Sequence, residues 1–328
     1  PLMKAFPKII LPPLSALYGA ITRTRLSMYR RGTFRSTKLD RPAISVGNIT
    51  TGGTGKTPLV EWVASRLAQE GKRVCVLTRG YRRTEPGERV LVSDGETVFS
   101  TPQLAGDEAF LLATNLKGLA AVISDANRVA AGQDAIKHLR TDCFVLDDGF
   151  QHLRLARDLD IVTIDATNPW GGGLLPAGRL REPIGGLSRA GCVVITRVDQ
   201  AGEVESIRQQ ISNNSNCPVF KSRMTTRALV PVNDSPETIA TPVGAFCGVG
   251  NPASFFKQLR QEGYVSVFEK AMPDHHAYTQ QDIDSIAHDA ERAGAKSLIT
   301  TAKDAVKLQA LTFSLPCFSL HVEISIDD

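Results

Sequence analysis

Short apolar runs alternate with longer amphipathic segments through most of the chain. Mainly apolar runs long enough for a buried strand lie at 43–46, 73–78, 120–124, 143–146, 161–164, 193–196, 245–249 and 297–300. Between several of them apolar residues recur at helical spacing, as in the segment from Leu59 to Leu67. Unbroken apolar strands that alternate with amphipathic helices are typical of parallel sheets covered on both faces. The pattern predicts an α/β fold with a mostly parallel sheet flanked by helices.

The first predicted strand leads into the first predicted helix through a glycine-rich loop that ends in Gly-Lys-Thr. In such loops glycines let backbone N–H groups close around an anion, lysine reaches the outer phosphates, and a threonine hydroxyl suits Mg²⁺. The strict pattern has glycine where Thr50 stands, but the flanking strand and helix supply the expected context. We therefore predict a nucleotide phosphate site. Its residues are Thr50, Thr51, Gly52, Gly53, Thr54, Gly55, Lys56 and Thr57.

Two adjacent acids, Asp147 and Asp148, directly follow the apolar run at 143–146. An acid opposite a phosphate loop can hold the Mg²⁺ that bridges the phosphates. Two carboxylates at a strand end are costly unless a positive group lies beside them. The sequence predicts a magnesium site formed by Thr57 and one or both of these acids.

Two basic loops follow other predicted strands. Arg79 follows the strand at 73–78, on the side where doubly wound sheets bind ligands. The glycine-rich segment 171–183 contains Arg181 and Glu182, which favours a loop that closes over an anionic ligand. A plain solvated surface loop is the alternative in both places.

Asp107 and the Asp274-His275-His276 run are ambiguous by pattern alone. Acids in a first helical turn usually serve the helix dipole and cap, which makes Asp107 a helix-start residue. The second run suits a capped loop, a metal site or an acid-supported histidine that orients groups or transfers a proton. No cysteine or further histidine stands at metal-ligand spacing, which favours the acid-supported histidine over the metal.

Residues 1–39 combine an apolar stripe with basic residues. The stripe comprises Ile9, Ile10, Leu11, Leu14, Leu17, Tyr18 and Ile21. No apolar run approaches the roughly 20 residues of a spanning helix, and the basic residues come largely after the apolar part, unlike in a signal peptide. We predict an interfacial helix that can lie on an anionic membrane. A helix packed on the protein's own core is the alternative.

Charge and cysteine usage narrow the functional classes. Eight of the 38 basic residues lie within residues 1–39, which hold no acid, so the rest of the chain carries 30 basic and 34 acidic residues. A nucleic-acid binder would spread basic residues over its folded part with aromatics between them, and only 6% of residues are aromatic. We therefore expect no nucleic-acid partner. The six scattered cysteines contain no CxxC pair and indicate reduced thiols in a cytosolic protein.

The chain is long enough for one large or two modest hydrophobic cores. Polar, turn-rich stretches at 212–216 and 233–236 mark a change of character beyond about residue 200. We predict three parts: residues 1–39 as a membrane-associating helix, 40–199 as a phosphate-loop core, and 200–328 as a smaller α/β lobe that completes the active-site cleft.

Taken together, these motifs resemble the tetraacyldisaccharide 4′-kinase family of lipid A synthesis, and they occur in that family's order along nearly the whole chain. They are GNITTGGTGKTP at 47–58, RGY at 79–81, GDE at 106–108, DDGFQH at 147–152, LPAG at 175–178, DHH at 274–276 and KDAVK at 303–307. Thr50 in the place of the first glycine is the family's own form of the loop.

The resemblance implies a kinase on the cytoplasmic face of the bacterial inner membrane, attached peripherally or monotopically. It would use ATP and Mg²⁺ to phosphorylate the 4′-hydroxyl of an acylated, singly phosphorylated glucosamine disaccharide, with no obligate protein partner. Asp107 and His275 would form the catalytic pair, with Asp274 beside them and Lys56 at the transferred phosphate. The resemblance also assigns Asp147, Asp148 and Glu182 to the metal and phosphates, and Arg79, Gln151, His152 and Arg181 to the substrate.

A membrane-recruited ATPase or GTPase switch without a small-molecule acceptor is the rival. Its best feature is Lys303-Asp304, which follows the apolar run at 297–300 and could read a nucleotide base. A switch would hydrolyse nucleotide without an acylated sugar, whereas the kinase would turn over only with its lipid acceptor.

Overall fold

The structure is a computed structural model that describes residues 11–81, 83–85, 87–233 and 235–327. Its α-helices are α1 Leu11–Arg30, α2 Lys56–Gln69, α3 Pro102–Ala105, α4 Asp107–Asn115, α5 Arg128–Leu139, α6 Val204–Ser212, α7 Pro252–Gln261, α8 Gln280–Arg292 and α9 Ala302–Ala305. Its strands are β1 Ala43–Asn48, β2 Val74–Thr78, β3 Val90–Ser93, β4 Ala120–Ser124, β5 Cys143–Asp147, β6 Leu159–Asp165, β7 Cys192–Thr196, β8 Val219–Pro231, β9 Val243–Cys247, β10 Ser266–Ala271, β11 Ser297–Thr301 and β12 Cys317–Asp327.

The strands form one sheet in the order β10-β9-β11-β12-β8-β7-β6-β1-β5-β2-β4-β3. Neighbours are parallel except at β3 with β4 and at β8 with β12. The predicted mostly parallel α/β sheet is therefore confirmed. The strands β2, β4, β5 and β9 are buried along their whole length, in agreement with their unbroken apolar sequences.

Helices cover both faces of the central strands. From α2, Leu59, Val60 and Val63 join a core with Val76 and Val145 on one face. On the opposite face, residues of α5 pack with side chains from β2, β4 and β5. Packing on both faces fixes the carboxyl ends of β1 and β5, which carry the phosphate loop and the adjacent acids.

The segment beyond residue 200 continues the same sheet. Strand β8 pairs with β7 over three register positions and with β12 over ten. Its side chains alternate between partly buried and exposed, which explains why no apolar run predicted it. The Asn251 side chain caps α7, with Pro252 at its first position, and Thr279 forms a capping box with Asp282 at the start of α8.

Helix α1 packs one face on the glycine-rich loop. Ser15 Oγ donates to the carbonyl oxygen of Leu174 at 3.0 Å, and Tyr18 Oη donates to that of Arg181 at 2.8 Å. Leu14, Leu17 and Ile21 are 40%, 58% and 58% exposed. The helix therefore packs on the protein with one face and presents an apolar stripe with another, and its contact with a membrane stays a prediction.

The described part of α1 includes two prolines, Pro12 and Pro13, close to Leu11. Lys4, Lys8, Ile9 and Ile10 lie outside the described residues. None of the described helices combines the length and the apolar character that crossing a membrane requires.

Candidate functional site

A cavity of about 440 Å³ lies between the phosphate loop, the start of α4 and the segment beyond residue 200. The loop from Thr51 to Thr57 forms one wall. Glu108, Asp148 and Arg181 line it from the core side, and Asp274, His275 and Lys303 from the other side. The structure thus brings together the predicted phosphate loop, one of the two adjacent acids and the Asp-His motif.

The phosphate loop follows the buried end of β1 and enters α2 at Lys56. Gly55 has a φ of 79°, in the left-handed region that strains any residue with a side chain and favours glycine. Thr54 Oγ1 accepts from Asn48 Nδ2 at 2.9 Å and contacts Thr163 Oγ1 at 2.8 Å. These bonds fix the loop from below. Thr50 is 5% exposed and does not line the cavity, so it lies on the buried side of the loop.

Two arginines absent from our predictions hold the outer side of the loop. Arg179 Nε donates to the carbonyl oxygen of Thr51 at 3.0 Å, and Arg197 Nη1 donates to that of Gly53 at 2.8 Å. Arg197 also pairs with Asp165 at 2.6 Å, and Asn251 Nδ2 donates to the same carboxylate at 3.0 Å. Sequence reasoning missed them because they reach the loop from two other segments, 171–183 and the end of β7.

The two acids after β5 have opposite environments. Asp147 is buried, and burial together with the nearby Glu108 and Asp148 carboxylates raises its pKa to about 7. Burial also acts on Asp148, but the Lys56 and Arg181 cations outweigh it and lower the pKa of Asp148 to about 2. Arg181 Nη1 lies 2.7 Å from Asp148 Oδ2, and Lys56 Nζ lies 3.6 Å from Oδ1. The cations expected beside the paired acids are therefore present.

The residues fit magnesium held together with phosphates. Among the described residues no three His, Cys, Asp or Glu side chains form a cage that could hold a metal. Mg²⁺ usually takes only one or two protein carboxylates and keeps water and phosphate oxygens as its other ligands. The Glu108 and Asp148 carboxylates repel that of Asp147, and a divalent cation bound beside them would relieve this repulsion. Thr57 and Asp148 line the cavity, whereas Asp147 is 3% exposed and does not, and the assignment of the three to magnesium stays a prediction.

Glu182 occupies a different place from the other predicted metal ligands. It is 7% exposed and does not line the cavity. Its Oε2 accepts from Arg189 at 2.8 Å and its Oε1 accepts from Gln151 Nε2 at 2.7 Å. These contacts favour a role in holding the glycine-rich loop against residues 150–152 over the predicted role as a metal ligand.

The predicted substrate residues lie partly in the cavity wall and partly outside it. Arg181 lines the cavity, but Arg79, Gln151 and His152 do not. Arg79 is exposed, with its guanidinium 5.6 Å from the ring centre of Tyr81, itself a lining residue. Burial and several arginines lower the pKa of His152 to about 3, which keeps its imidazole neutral at physiological pH. Their assignment to substrate stays a prediction.

Asp107 and His275 lie side by side although 168 positions separate them in the chain. Asp107 begins α4, and its Oδ2 is 3.5 Å from His275 Nδ1. Asp274 Oδ1 is 3.9 Å from His275 Nε2. His275 has a φ of 58°, an uncommon value for a residue with a side chain, and its N–H donates to the carbonyl oxygen of Gly248 at 3.0 Å. Strained residues of this kind cluster at functional sites.

Lys303 joins this group, and Asp304 does not. Lys303 Nζ lies 2.9 Å from Glu108 Oε1 and 3.2 Å from His275 Nε2. Asp304 is fully buried, where it accepts from Gly248 N and Thr301 Oγ1 and pairs with Lys307. The buried Asp304 is therefore not placed to read a nucleotide base, whereas Lys303 lines the cavity.

Comparisons with known proteins find relatives along nearly the whole chain. The family described as LpxK, tetraacyldisaccharide-1-P 4′-kinase, matches residues 7–328. A tetraacyldisaccharide 4′-kinase of Pelobacter propionicus is 42% identical over 92% of this chain and 83% of the relative, and one of Geobacter sulfurreducens is 42% identical over 94% and 87%. The crystal structure of LpxK from Aquifex aeolicus in complex with ATP covers 96% of this chain and 93% of that chain, with 31% identity and a TM-score of 0.75.

Proposed function

The chain belongs to the tetraacyldisaccharide-1-P 4′-kinase family, and we propose that it transfers the γ-phosphate of ATP to the 4′-hydroxyl of a tetraacylated glucosamine disaccharide 1-phosphate. One observation carries the proposal. A phosphate loop with Lys56 and Thr57 shares a cavity with His275, and the Asp107 carboxylate lies directly behind that imidazole, 3.5 Å from its Nδ1. Transfer to an alcohol needs both a held phosphate and a group that takes or orients the alcohol proton.

The phosphate side of the reaction falls to the loop and its neighbours. Lys56 places its charge at the transferring phosphate, and backbone N–H groups of the phosphate loop position the nucleotide. Magnesium, when bound, neutralises charge on the phosphate oxygens, and Thr57 with Asp147 and Asp148 would hold it. Arg181 forms an ion pair with Asp148 at 2.7 Å and also lines the cavity. Its guanidinium suits an anionic group of either substrate.

The acceptor side falls to Asp107 and His275. Asp107 accepts or orients the proton of the 4′-hydroxyl, and His275 fixes the direction of that carboxylate through the contact at 3.5 Å. The acidic first turn of α4 then has a chemical as well as a capping role. Asp274 and Lys303 complete the charge balance around the imidazole.

A lipid acceptor also gives α1 a role. We propose that the stripe of Leu14, Leu17 and Ile21 rests on the cytoplasmic face of the inner membrane, with Arg23, Arg25 and Arg30 near anionic head groups. The opposite face of α1 contacts the loop at Leu174 and Arg181, so the cavity lies close to the surface where a lipid disaccharide is embedded.

Radiolabel transfer from γ-labelled ATP to purified lipid disaccharide tests the proposal. Labelled lipid should form only with the intact lipid acceptor, and nucleotide turnover should be negligible without it. Rapid hydrolysis of ATP or GTP in the absence of acceptor, with no labelled lipid, would support the nucleotide switch instead. The family match and the engagement of Asp304 in buried contacts both favour the kinase.

A further inference from the structure

Lys303 contributes a buried ammonium to the acid–histidine pair. Its Nζ lies 2.9 Å from Glu108 Oε1, 3.2 Å from His275 Nε2 and 3.8 Å from Asp274 Oδ1. Burial alone would lower its pKa, but the Glu108 and Asp274 carboxylates outweigh that effect and raise the pKa of Lys303. Lys303 therefore stays protonated beside the imidazole.

A protonated lysine has three donors and no acceptor. The His275 nitrogen that faces it at 3.2 Å must therefore accept, which leaves the ring proton on Nδ1. That nitrogen lies 3.5 Å from Asp107 Oδ2, so the ring proton is on the side of the imidazole that faces the carboxylate. With the ring proton on Nε2 instead, an N–H would oppose the ammonium and a lone pair would face the Asp107 carboxylate.

We propose that Lys303 is a positioning residue that fixes the tautomer of His275, with the proton on Nδ1 and directed at Asp107. The inference rests on the proposed function of the pair and adds a residue to it. Lys303 acts through His275, because the ammonium is held between Glu108 and the imidazole.

The backbone around His275 and the salt bridge of Lys303 fix the places from which the two side chains meet. The bond from His275 N to the carbonyl oxygen of Gly248 and the φ of 58° fix the Cα position, and Lys303 enters from the start of α9. The salt bridge with Glu108 fixes the ammonium in turn, since Glu108 follows Asp107 in the first turn of α4. One short element therefore sets both the carboxylate and, through Lys303, the histidine proton that faces it.

The tautomer of a histidine at an active site can have a large effect on kcat. In a serine-protease triad the wrong histidine tautomer lowers kcat about 10⁴-fold. In this site a lone pair turned toward Asp107 would repel the carboxylate and reorient it away from the acceptor hydroxyl. Loss of partners that orient metal-bound histidines typically costs about 10- to 100-fold, and we expect the same scale here.

Nitrogen-15 NMR of ¹⁵N-histidine-labelled protein reads the tautomer directly. The His275→Gln variant assigns the His275 signals among the six histidines. We expect Nδ1–H in the unaltered protein and a shift toward Nε2–H in Lys303→Met, which keeps most of the side-chain length without the charge. Lys296→Met, which removes an exposed lysine from the same part of the chain, should leave the tautomer unchanged.

Kinetic measurements on the same variants connect the tautomer to turnover. Lys303→Met should lower kcat about 10- to 100-fold with little change in the KM for ATP, whereas Lys296→Met should retain normal values. A predominant Nε2–H form in the unaltered protein would overturn the proposal even if Lys303→Met fails to fold. An unchanged Nδ1–H form in Lys303→Met would also overturn it. Because the NMR readout needs no turnover, either result stands apart from any failure of the lipid kinase assay.

Discussion

The two ends of the cavity are assembled from very different distances along the chain. At the phosphate-loop end, the loop residues 50–57 are consecutive, and their supports include buried threonines from β6 and β7. At the acid–histidine end, defined by Asp107, His275 and Lys303, the side chains come from α4, a loop and α9, and Lys303 lies 195 positions from its partner Glu108. The first end is held by buried hydroxyls and by arginines that donate to loop carbonyl oxygens, and the second by pairs of charged side chains.

This difference has an energetic consequence. Backbone hydrogen bonds in a packed core respond little to single surface changes, whereas charged pairs across a cavity depend on every partner. We therefore expect the phosphate-loop end to lose activity through individual reacting groups with its shape intact. The acid–histidine end should instead behave as one coupled unit.

The largest effect should come from the phosphate-loop end. Lys56→Ala removes the cation nearest the transferred phosphate and should lower kcat by roughly 10³-fold or more, the scale of a lost cation at a transferring phosphate. Thermal stability should change little, because Lys56 contributes to α2 only at its first position. Labelled-lipid formation measures the effect, and Lys72→Ala, an exposed lysine just beyond the same helix, is the control. Near-normal turnover would refute the role of the loop.

The acid–histidine end should show coupling. Asp107→Asn keeps shape and capping capacity but removes the charge, so we expect kcat to fall by roughly 10² to 10⁴, the range for general acid–base groups. The double variant with His275→Ala should lose much less than the product of the two single losses. The comparison requires kcat for both single variants and the double variant, with ATP affinity alongside. Fully multiplicative losses would mean that the two residues act independently.

The third prediction concerns the binding of α1 to a membrane surface. Replacing Leu17 and Ile21 by serine should weaken binding to anionic vesicles about 10- to 100-fold, since each buried aliphatic side chain contributes up to about 1.5 to 3 kcal/mol. Added salt should weaken binding by the unaltered protein, because the arginines of α1 act electrostatically. Val265→Ser, at a residue 63% exposed beside the sheet edge, is the matched control. Equal vesicle binding by all three proteins would argue against α1 as the contact.

The smallest effect concerns stability at the phosphate-loop end. Burial raises the pKa of Glu61 on α2 from 4.5 to about 7, although the bond from Asn115 opposes the shift. The unfolded chain releases this proton near pH 4.5 and the folded chain near 7, so ionisation destabilises the fold progressively between these values and fully above them. Glu61→Gln should raise stability by about 1 to 3 kcal/mol above pH 7 and have little effect below pH 4.5. Thermal unfolding at both pH values measures this, and a pH-independent difference would contradict it.

The same contrast explains which features the sequence could predict. The sheet and the phosphate loop follow from apolar runs and one contiguous motif, and Asp147 and Asp148 are marked by their place after β5. Asp107 and His275 were ambiguous by pattern and were paired only through the family resemblance. Lys303 was noted as a possible base-reading residue, and its place beside Glu108 and His275 was missed because those contacts depend on how α9 faces α4, which no local pattern encodes.

Strand β8 was missed for a related reason, since its alternating burial reflects a partner, β12, that lies far along the chain. The order of synthesis gives that pairing a further consequence. Between the end of β8 at Pro231 and the start of β12 at Cys317 the ribosome must add 85 residues, which takes about 4 to 17 s at roughly 5 to 20 residues per second. During that interval most of one long edge of β8 lacks its native neighbour, and unpaired edges are templates for association with other chains. A nascent chain that pauses before Cys317 is therefore the form of this enzyme most exposed to misassembly.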